Sequence, residues 1–196
     1  MELEKRLVCH DKQELRVEEV DGKPRISGLA VPYSQTSEDL GGFREMFSPG
    51  AFADTLTGTR DVFGDVEHDS GKKLARRSKQ TLELSDSPEG LRFAMSLPDT
   101  TLGRDTAQEV REGLLDGVSI EFSGAKSKWI GKGADTIRQV SSAALRAITL
   151  TAYPAYRQTV GTVAMRSLEE HRKAEEEEKP PEADNEVLHK LLDSAV

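Results

Sequence analysis

The stretch Gly117-Val118-Ser119-Ile120-Glu121-Phe122 decides the fold. Val118, Ile120 and Phe122 alternate with Ser119, Glu121 and Ser123, which is the period of a strand with one apolar and one polar face. Such a strand belongs in a sheet covered on one side, and it presents Ser119 on a stiff element, away from the apolar layer. Reading outward, Leu91, Phe93, Met95 and Leu97 alternate in the same way and follow a Pro88-Glu89-Gly90 turn, with a partner strand over 81–84. Further upstream, Val62, Phe63 and Val66 form a strand that ends at His68. Leu15 and Val17 on one side of Asp21-Gly22, and residues 26–31 on the other, give a hairpin, because both turn residues tolerate positive φ. Downstream, residues 135–140 and 144–153 give two more strands, the last stopped by Pro154.

Helices are few. Ser48-Pro49 predicts the start of a short one with Ala51, Phe52 and Leu56 on its apolar side. A second is expected over 101–115, capped by Thr100 or Thr101, with Ala107, Val110 and Leu114 on one face and Gly117 beyond its end. Residues 34–47 and 70–79 read as loops. The lack of regular alternation between strands and helices argues against a doubly wound parallel sheet, and a β-rich α+β fold or barrel is expected.

Composition narrows the function class. Lys and Arg number 27 against 35 Asp and Glu, a net charge of −8. Residues 166–196 hold ten acids and five bases, so −5 of that charge sits in the tail and about −3 in the rest. A slightly acidic body argues against nucleic-acid binding, which needs clustered cations. Cys9 is the single cysteine, so no internal disulfide forms, in keeping with a reducing compartment. The N-terminal MELEKRLVCH has no apolar core of a signal peptide, and no apolar run of membrane-spanning length occurs, so no membrane partner is expected. Residues 1–165 read as one folded domain. Residues 166–196 read as an acidic flexible tail broken at Lys179-Pro180-Pro181, with a short helix over 184–194 carrying Val187, Leu188, Leu191 and Leu192.

The chemistry rests on few residues. His10 and His68 are the histidines of the body, and His68 ends a strand in Val66-Glu67-His68-Asp69. Imidazole titrates near neutrality, so His68 is the candidate general base, although taken alone it reads more readily as a surface histidine at a strand end. Ser119 is the candidate nucleophile, and taken alone it is an ordinary polar-face serine. There is no His-x-x-x-His, no paired cysteine and no phosphate-binding glycine loop, so no metal or cofactor is expected. Gly-x-Ser-x-Glu is not the nucleophile elbow of α/β-hydrolases, since the serine lies within a strand.

An ordered series of segments goes further. Gly28-Leu29-Ala30-Val31-Pro32-Tyr33 is followed by Phe43-Arg44-Glu45, Pro49-Gly50-Ala51-Phe52 and Glu67-His68-Asp69. Then come Thr81-Leu82-Glu83-Leu84, Gly90-Leu91-Arg92-Phe93 and Leu97-Pro98-Asp99-Thr100 leading into Gly103-Arg104-Asp105. Gly117-Val118-Ser119-Ile120-Glu121-Phe122 and Tyr153-Pro154-Ala155-Tyr156 close the series. In order and spacing, roughly over residues 24–160, this resembles the tailed-phage prohead (capsid maturation) serine proteases. The resemblance implies a fold like herpesvirus assemblin, a closed β-barrel ringed by a few short helices. It implies a serine endopeptidase with Ser119 and His68 as catalytic pair, acting on the major capsid protein or its scaffolding segment, and on itself, inside the procapsid in the host cytoplasm. Self-association stays open.

The family pattern has an acid before the Pro-Ala segment, and Ala147 stands in its place. Thr149, Glu121 and Asp69 are the candidates for the third catalytic member. The segment after the last strand, 153–157, matches the family's oxyanion region, so its backbone N–H groups or Arg157 would support the developing charge. Arg76 and Arg77 read as surface charge or peptide-contacting groups. Two rivals stand beside the protease. Ala147 favours a weak or inactive protease-fold scaffold or assembly factor, and the same His–Ser pair would serve an esterase.

Overall fold

The computed structural model of the chain describes residues 3–8, 15–152 and 162–177. The strands are β1 (Leu3–Val8), β2 (Arg16–Val20), β3 (Lys23–Pro32), β4 (Arg44–Phe47), β5 (Phe63–Val66), β6 (Lys73–Arg76), β7 (Leu82–Ser87), β8 (Gly90–Ser96), β9 (Gly117–Ile130) and β10 (Ile137–Thr151). The helices are α1 (Ala53–Thr57), α2 (Thr101–Arg111) and α3 (Thr162–Glu177). The fold is therefore the expected sheet-rich α+β class with few helices.

One sheet has six strands, in the order β1-β9-β10-β5-β6 with β4 also on β10, and the other has four, in the order β2-β3-β8-β7. The expected closed barrel is not formed. The reason lies in β10, a single strand whose two halves take different neighbours on one side. Residues Ile137 to Val140 pair in parallel with β4, and Ala147 to Leu150 pair in parallel with β5. Two short strands in tandem along one edge do not carry the ladder round to the second sheet. The sheets meet instead through the isolated bridge Tyr33–Phe47. Residues of both sheets and of α1 and α2 share one core that includes Ile26, Phe52, Leu91, Met95, Ile120, Phe122, Leu145 and Ile148. Gly90 is required where β8 starts against β3, because φ is +154° and a Cβ there would stand 2.0 Å from the Val31 carbonyl oxygen.

Several local expectations shift. Ser48-Pro49-Gly50 is a turn, and α1 begins only at Ala53 with Phe52 at its N-cap. Residues read as loops contain β4 and β6. The two strands expected over 135–153 are one, since β-bulges between Val140 and Leu145 absorb the polar pair Ser141-Ser142 without ending the ladder. Helix α2 starts as expected, with the Thr100 side chain accepting the Gly103 N–H at 3.2 Å.

The chain divides into one unit over Met1–Gly161, with both sheets, and a second over Thr162–Val196. In the second, α3 spans the 165/166 boundary read from the sequence and runs into the acidic segment, which has helix-favouring Ala, Arg, Glu and Lys and no Gly or Pro before Lys179. The helix expected over 184–194 lies outside the described residues. No helix among the described residues is long and apolar enough to cross a membrane.

Candidate active site

The site is built across four strands in register. Ser119 on β9 stands opposite Thr149 on β10, and Thr149 stands opposite Asp65 on β5. On the outer side of β9, Ser119 faces Leu7 of β1. One row along, Glu121 stands opposite Ala147. Because side chains alternate, Ser119 and Glu121 emerge on the same face, away from Val118, Ile120 and Phe122, which are fully buried.

His68 reaches this face from a strained turn. Glu67 and His68 have φ of 53° and 55°, and the Asp69 N–H donates to the Val66 carbonyl at 3.0 Å. Two consecutive positive φ values are typical of primed turns and are normally met by Asn and Gly; in other residues each costs about 1–3 kcal/mol. The turn is held from the side. The Glu67 N–H donates to the Leu150 carbonyl at 3.0 Å. Its carboxylate accepts from the Thr151 hydroxyl at 2.8 Å and from the Ala152 N–H at 2.7 Å.

The imidazole lies between two oxygens. Nε2 is 2.7 Å from Ser119 Oγ, and Nδ1 is 3.0 Å from Glu121 Oε1. Thr149 Oγ1 lies 3.2 Å from Nδ1 and donates its own hydrogen to Asp65 Oδ1 at 2.5 Å. The hydrogen bond to His68, with the Lys5 ammonium 2.9 Å away, lowers the Glu121 carboxyl to about 2, so it is ionised at working pH. An ionised Glu121 accepts only, which requires Nδ1 to carry a hydrogen and, in the neutral ring, leaves Nε2 free to accept from Ser119. Burial raises the Asp65 carboxyl, against the bond from Thr149.

Of the candidates for a third member, Glu121 and Thr149 both touch Nδ1. The Asp69 carboxylate instead accepts the Gly71 N–H at 2.8 Å within the turn. The missing acid at 147 has a counterpart across the ladder, since Glu121 is the direct cross-strand neighbour of Ala147. Arg157 and residues 153–157 lie outside the described residues. Arg77 is a structural group, its guanidinium donating to the carbonyls of Thr55, Leu56, Gly58 and Arg60 around the end of α1. Arg76 pairs with Asp61.

Three features carried no sequence signal. Asp65 sits beneath Thr149, and Lys5 sits on Glu121. The Ser119 hydroxyl also lies 2.9 Å from the carbonyl of Arg6, and Ser119 is fully covered. On the opposite face of the same strands, Glu4, Arg6, Glu45 and Arg138 form a closed set of ion pairs, each at most 5 % exposed. Among the described residues no cluster of side chains suited to hold a metal ion occurs.

A sequence model of the caudovirus prohead serine proteases matches residues 12–174. Among solved structures, the capsid assembly protease gp21 of bacteriophage T4 is similar in fold, with a TM-score of 0.54 over 78 % of this chain and 98 % of that one. The two are 9 % identical, so the likeness speaks to the fold alone. No curated protein matches the chain.

Proposed function

The chain belongs to the caudovirus prohead serine protease family, and from that premise we propose that it is a serine endopeptidase of capsid maturation with Ser119 as nucleophile, His68 as base and Glu121 as orienting acid. The observation that carries the reading is the Ser119–His68–Glu121 chain, with contacts of 2.7 and 3.0 Å on the two ring nitrogens. In this reading Ser119 Oγ forms a bond to the carbonyl carbon of a peptide while Nε2 takes its hydrogen. The C–N bond breaks, the imidazolium returns that hydrogen to the leaving amine, and water later releases the acyl group by the same route. Glu121 holds the Nδ1 hydrogen and stabilises the imidazolium. Thr149, supported by Asp65, is the second acceptor on that nitrogen. Arg157 and the N–H groups of 153–157 are assigned the oxyanion.

The substrates in this reading are the major capsid protein or its scaffolding segment, and the protease itself. The place of action is the interior of the procapsid in the host cytoplasm. The acidic tail beyond residue 166 is assigned as a site of self-cleavage.

The test is co-expression with the major capsid protein of the same phage, followed by mass spectrometry of both chains. Cleavage by wild type that disappears in both His68→Ala and Ser119→Ala is the expected result. A second reading, a non-catalytic assembly factor on the protease fold, is favoured by the complete coverage of Ser119. No cleavage under any condition, with capsid assembly still dependent on the chain, would select it.

A further inference from the structure

We propose that Asp65 is a positioning residue that decides which ring nitrogen of His68 carries the hydrogen. It acts through Thr149, taking the hydrogen of that hydroxyl and so keeping it from donating to Nδ1. The inference rests on the protease reading above and adds to it a residue that reaches the ring only through a neighbour.

Asp65 is a buried acid that ion pairing does not account for. Only 7 % of it is exposed, and among the described residues no cation pairs with it. Lys73, its partner across β6, turns its ammonium to the Ser70 carbonyl instead. A carboxyl buried without a charged partner is costly to keep, so its presence in the sheet calls for another reason. Its hydrogen-bond partner is Thr149, at 2.5 Å. The pairing of β5 with β10 and of β10 with β9 puts Asp65, Thr149 and Ser119 in one row across three strands. The His68 ring touches two of the three, with Nε2 on Ser119 and Nδ1 on Thr149.

Hydrogen counting gives the reason. Two groups meet Nδ1, and their demands conflict. Ionised Glu121, 3.0 Å away, only accepts, so it needs a hydrogen on Nδ1. Thr149 Oγ1, 3.2 Å away, has a hydrogen of its own and could equally donate it to a bare Nδ1. A neutral ring with a bare Nδ1 carries its hydrogen on Nε2, where it donates to Ser119 and does not take the serine proton. Thr149 is fully covered, and among the described residues its hydroxyl has two acceptors in reach, Asp65 Oδ1 and His68 Nδ1. By accepting, Asp65 settles the conflict in favour of Glu121.

The role does not hang on the charge of Asp65. Burial raises the carboxyl and the bond from Thr149 opposes the rise, yet a carboxyl keeps an accepting oxygen in either protonation state. What the site needs at position 65 is an acceptor for one hydrogen. Thr149 therefore helps His68 only while Asp65 is there. With the acid gone, the same hydroxyl competes with Glu121 for Nδ1 and works against the base. Removing the hydroxyl as well then repairs part of the damage, which no purely structural loss would predict.

The test uses the full chain and two readouts. Asp65→Ala and Asp65→Leu both remove the acceptor, the second with a branched apolar group of similar shape. Each should cut capsid-protein cleavage by at least about tenfold, since a histidine in the wrong tautomer costs up to about 10⁴ in a serine protease. Adding Thr149→Val to Asp65→Leu should raise cleavage at least about threefold over Asp65→Leu alone. The tautomer is read by NMR of the ring nitrogens in histidine-labelled protein, at a pH where the ring is neutral and with His68→Ala for assignment. Wild type should carry the hydrogen on Nδ1, and the single variants should shift toward Nε2–H, a shift that Thr149→Val reverses. An unchanged tautomer in folded Asp65→Leu, or a double variant that cleaves no better than the single one, overturns the proposal. A wild-type ring with its hydrogen on Nε2 overturns it without any variant. The expected tautomer shifts with no cleavage by any form, wild type included, uphold Asp65 and sink the protease reading. Cleavage by wild type with no tautomer shift sinks Asp65 and leaves the protease reading standing.

Discussion

The two faces of the β1–β9–β10 ladder each carry a charge cluster, and the clusters behave oppositely. The core-side set of Glu4, Arg6, Glu45 and Arg138 joins carboxylates to guanidiniums. Burial alone would lower Arg138, but Glu4 and Glu45 outweigh it and raise it further, so Arg138 does not give up its proton near neutrality. The other face sets an imidazole between a hydroxyl at 2.7 Å and a carboxylate at 3.0 Å, an arrangement in which one hydrogen can change owner. The same sheet thus holds a fixed electrostatic lock and, in the proposed function, a proton-transfer chain, separated by the thickness of one strand. Ion pairing does not distinguish them; burial does, since His68, Glu121 and Lys5 are partly exposed, and so does the kind of donor.

The strongest way to break the contrast is Glu121→Gln. It should cut capsid-protein cleavage by about 10²–10⁴-fold, since a misoriented or uncompensated imidazole loses that much in serine proteases, and it should lower thermal stability at neutral pH as well, because the ionised carboxylate bonded to His68 and Lys5 is lost. Cleavage assays beside thermal melts check both halves. Arg138→Met acts on the other face and should cost about 3–5 kcal/mol of folding stability, because it strips buried Glu4 and Glu45 of a partner. Denaturant unfolding reads this. Removing Glu45 and Arg138 together, as Glu45→Gln with Arg138→Met, leaves Arg6–Glu4 paired. Its loss should be smaller than the sum of the single losses by about 1–3 kcal/mol.

The smallest effect is in the acid range. Glu121 is lowered from 4.5 to about 2, first by its bond to His68 and also by Lys5. A depressed carboxylate stabilises the fold above its unfolded value and loses that contribution as pH falls through the folded one. Wild type should therefore lose more stability than Glu121→Gln between about pH 4.5 and 2, and equal losses would show that Glu121 is not held as described.

Much of the site was legible because it is written in alternation. Ser119 and Glu121 are two apart on one strand, so their shared face follows from the period, and Ala147 marks the absence of the usual acid. What was not legible is pairing across the chain. His68 and Ser119 lie 51 residues apart, Asp65 and Thr149 lie 84 apart, and the Arg6 carbonyl lies 113 from Ser119. No local pattern encodes such contacts. The unbroken β10 was hidden for a different reason, since Ser141-Ser142 has the polarity of a break and only the bulges reveal continuity. The barrel failed to close for a reason equally invisible in periodicity, the division of one β10 edge between β4 and β5.

The turn that delivers His68 has a bearing on how this protein could be engineered. Judged by backbone preference, the best sequence at positions 67 and 68 is Asn-Gly, and a designer seeking thermostability would choose it. That choice would delete the imidazole and the carboxylate that anchors it to Thr151 and Ala152. At this one corner the sequence that backbone preference favours and the one that the proposed chemistry needs are different, so stabilising this fold while keeping that chemistry means changing residues elsewhere.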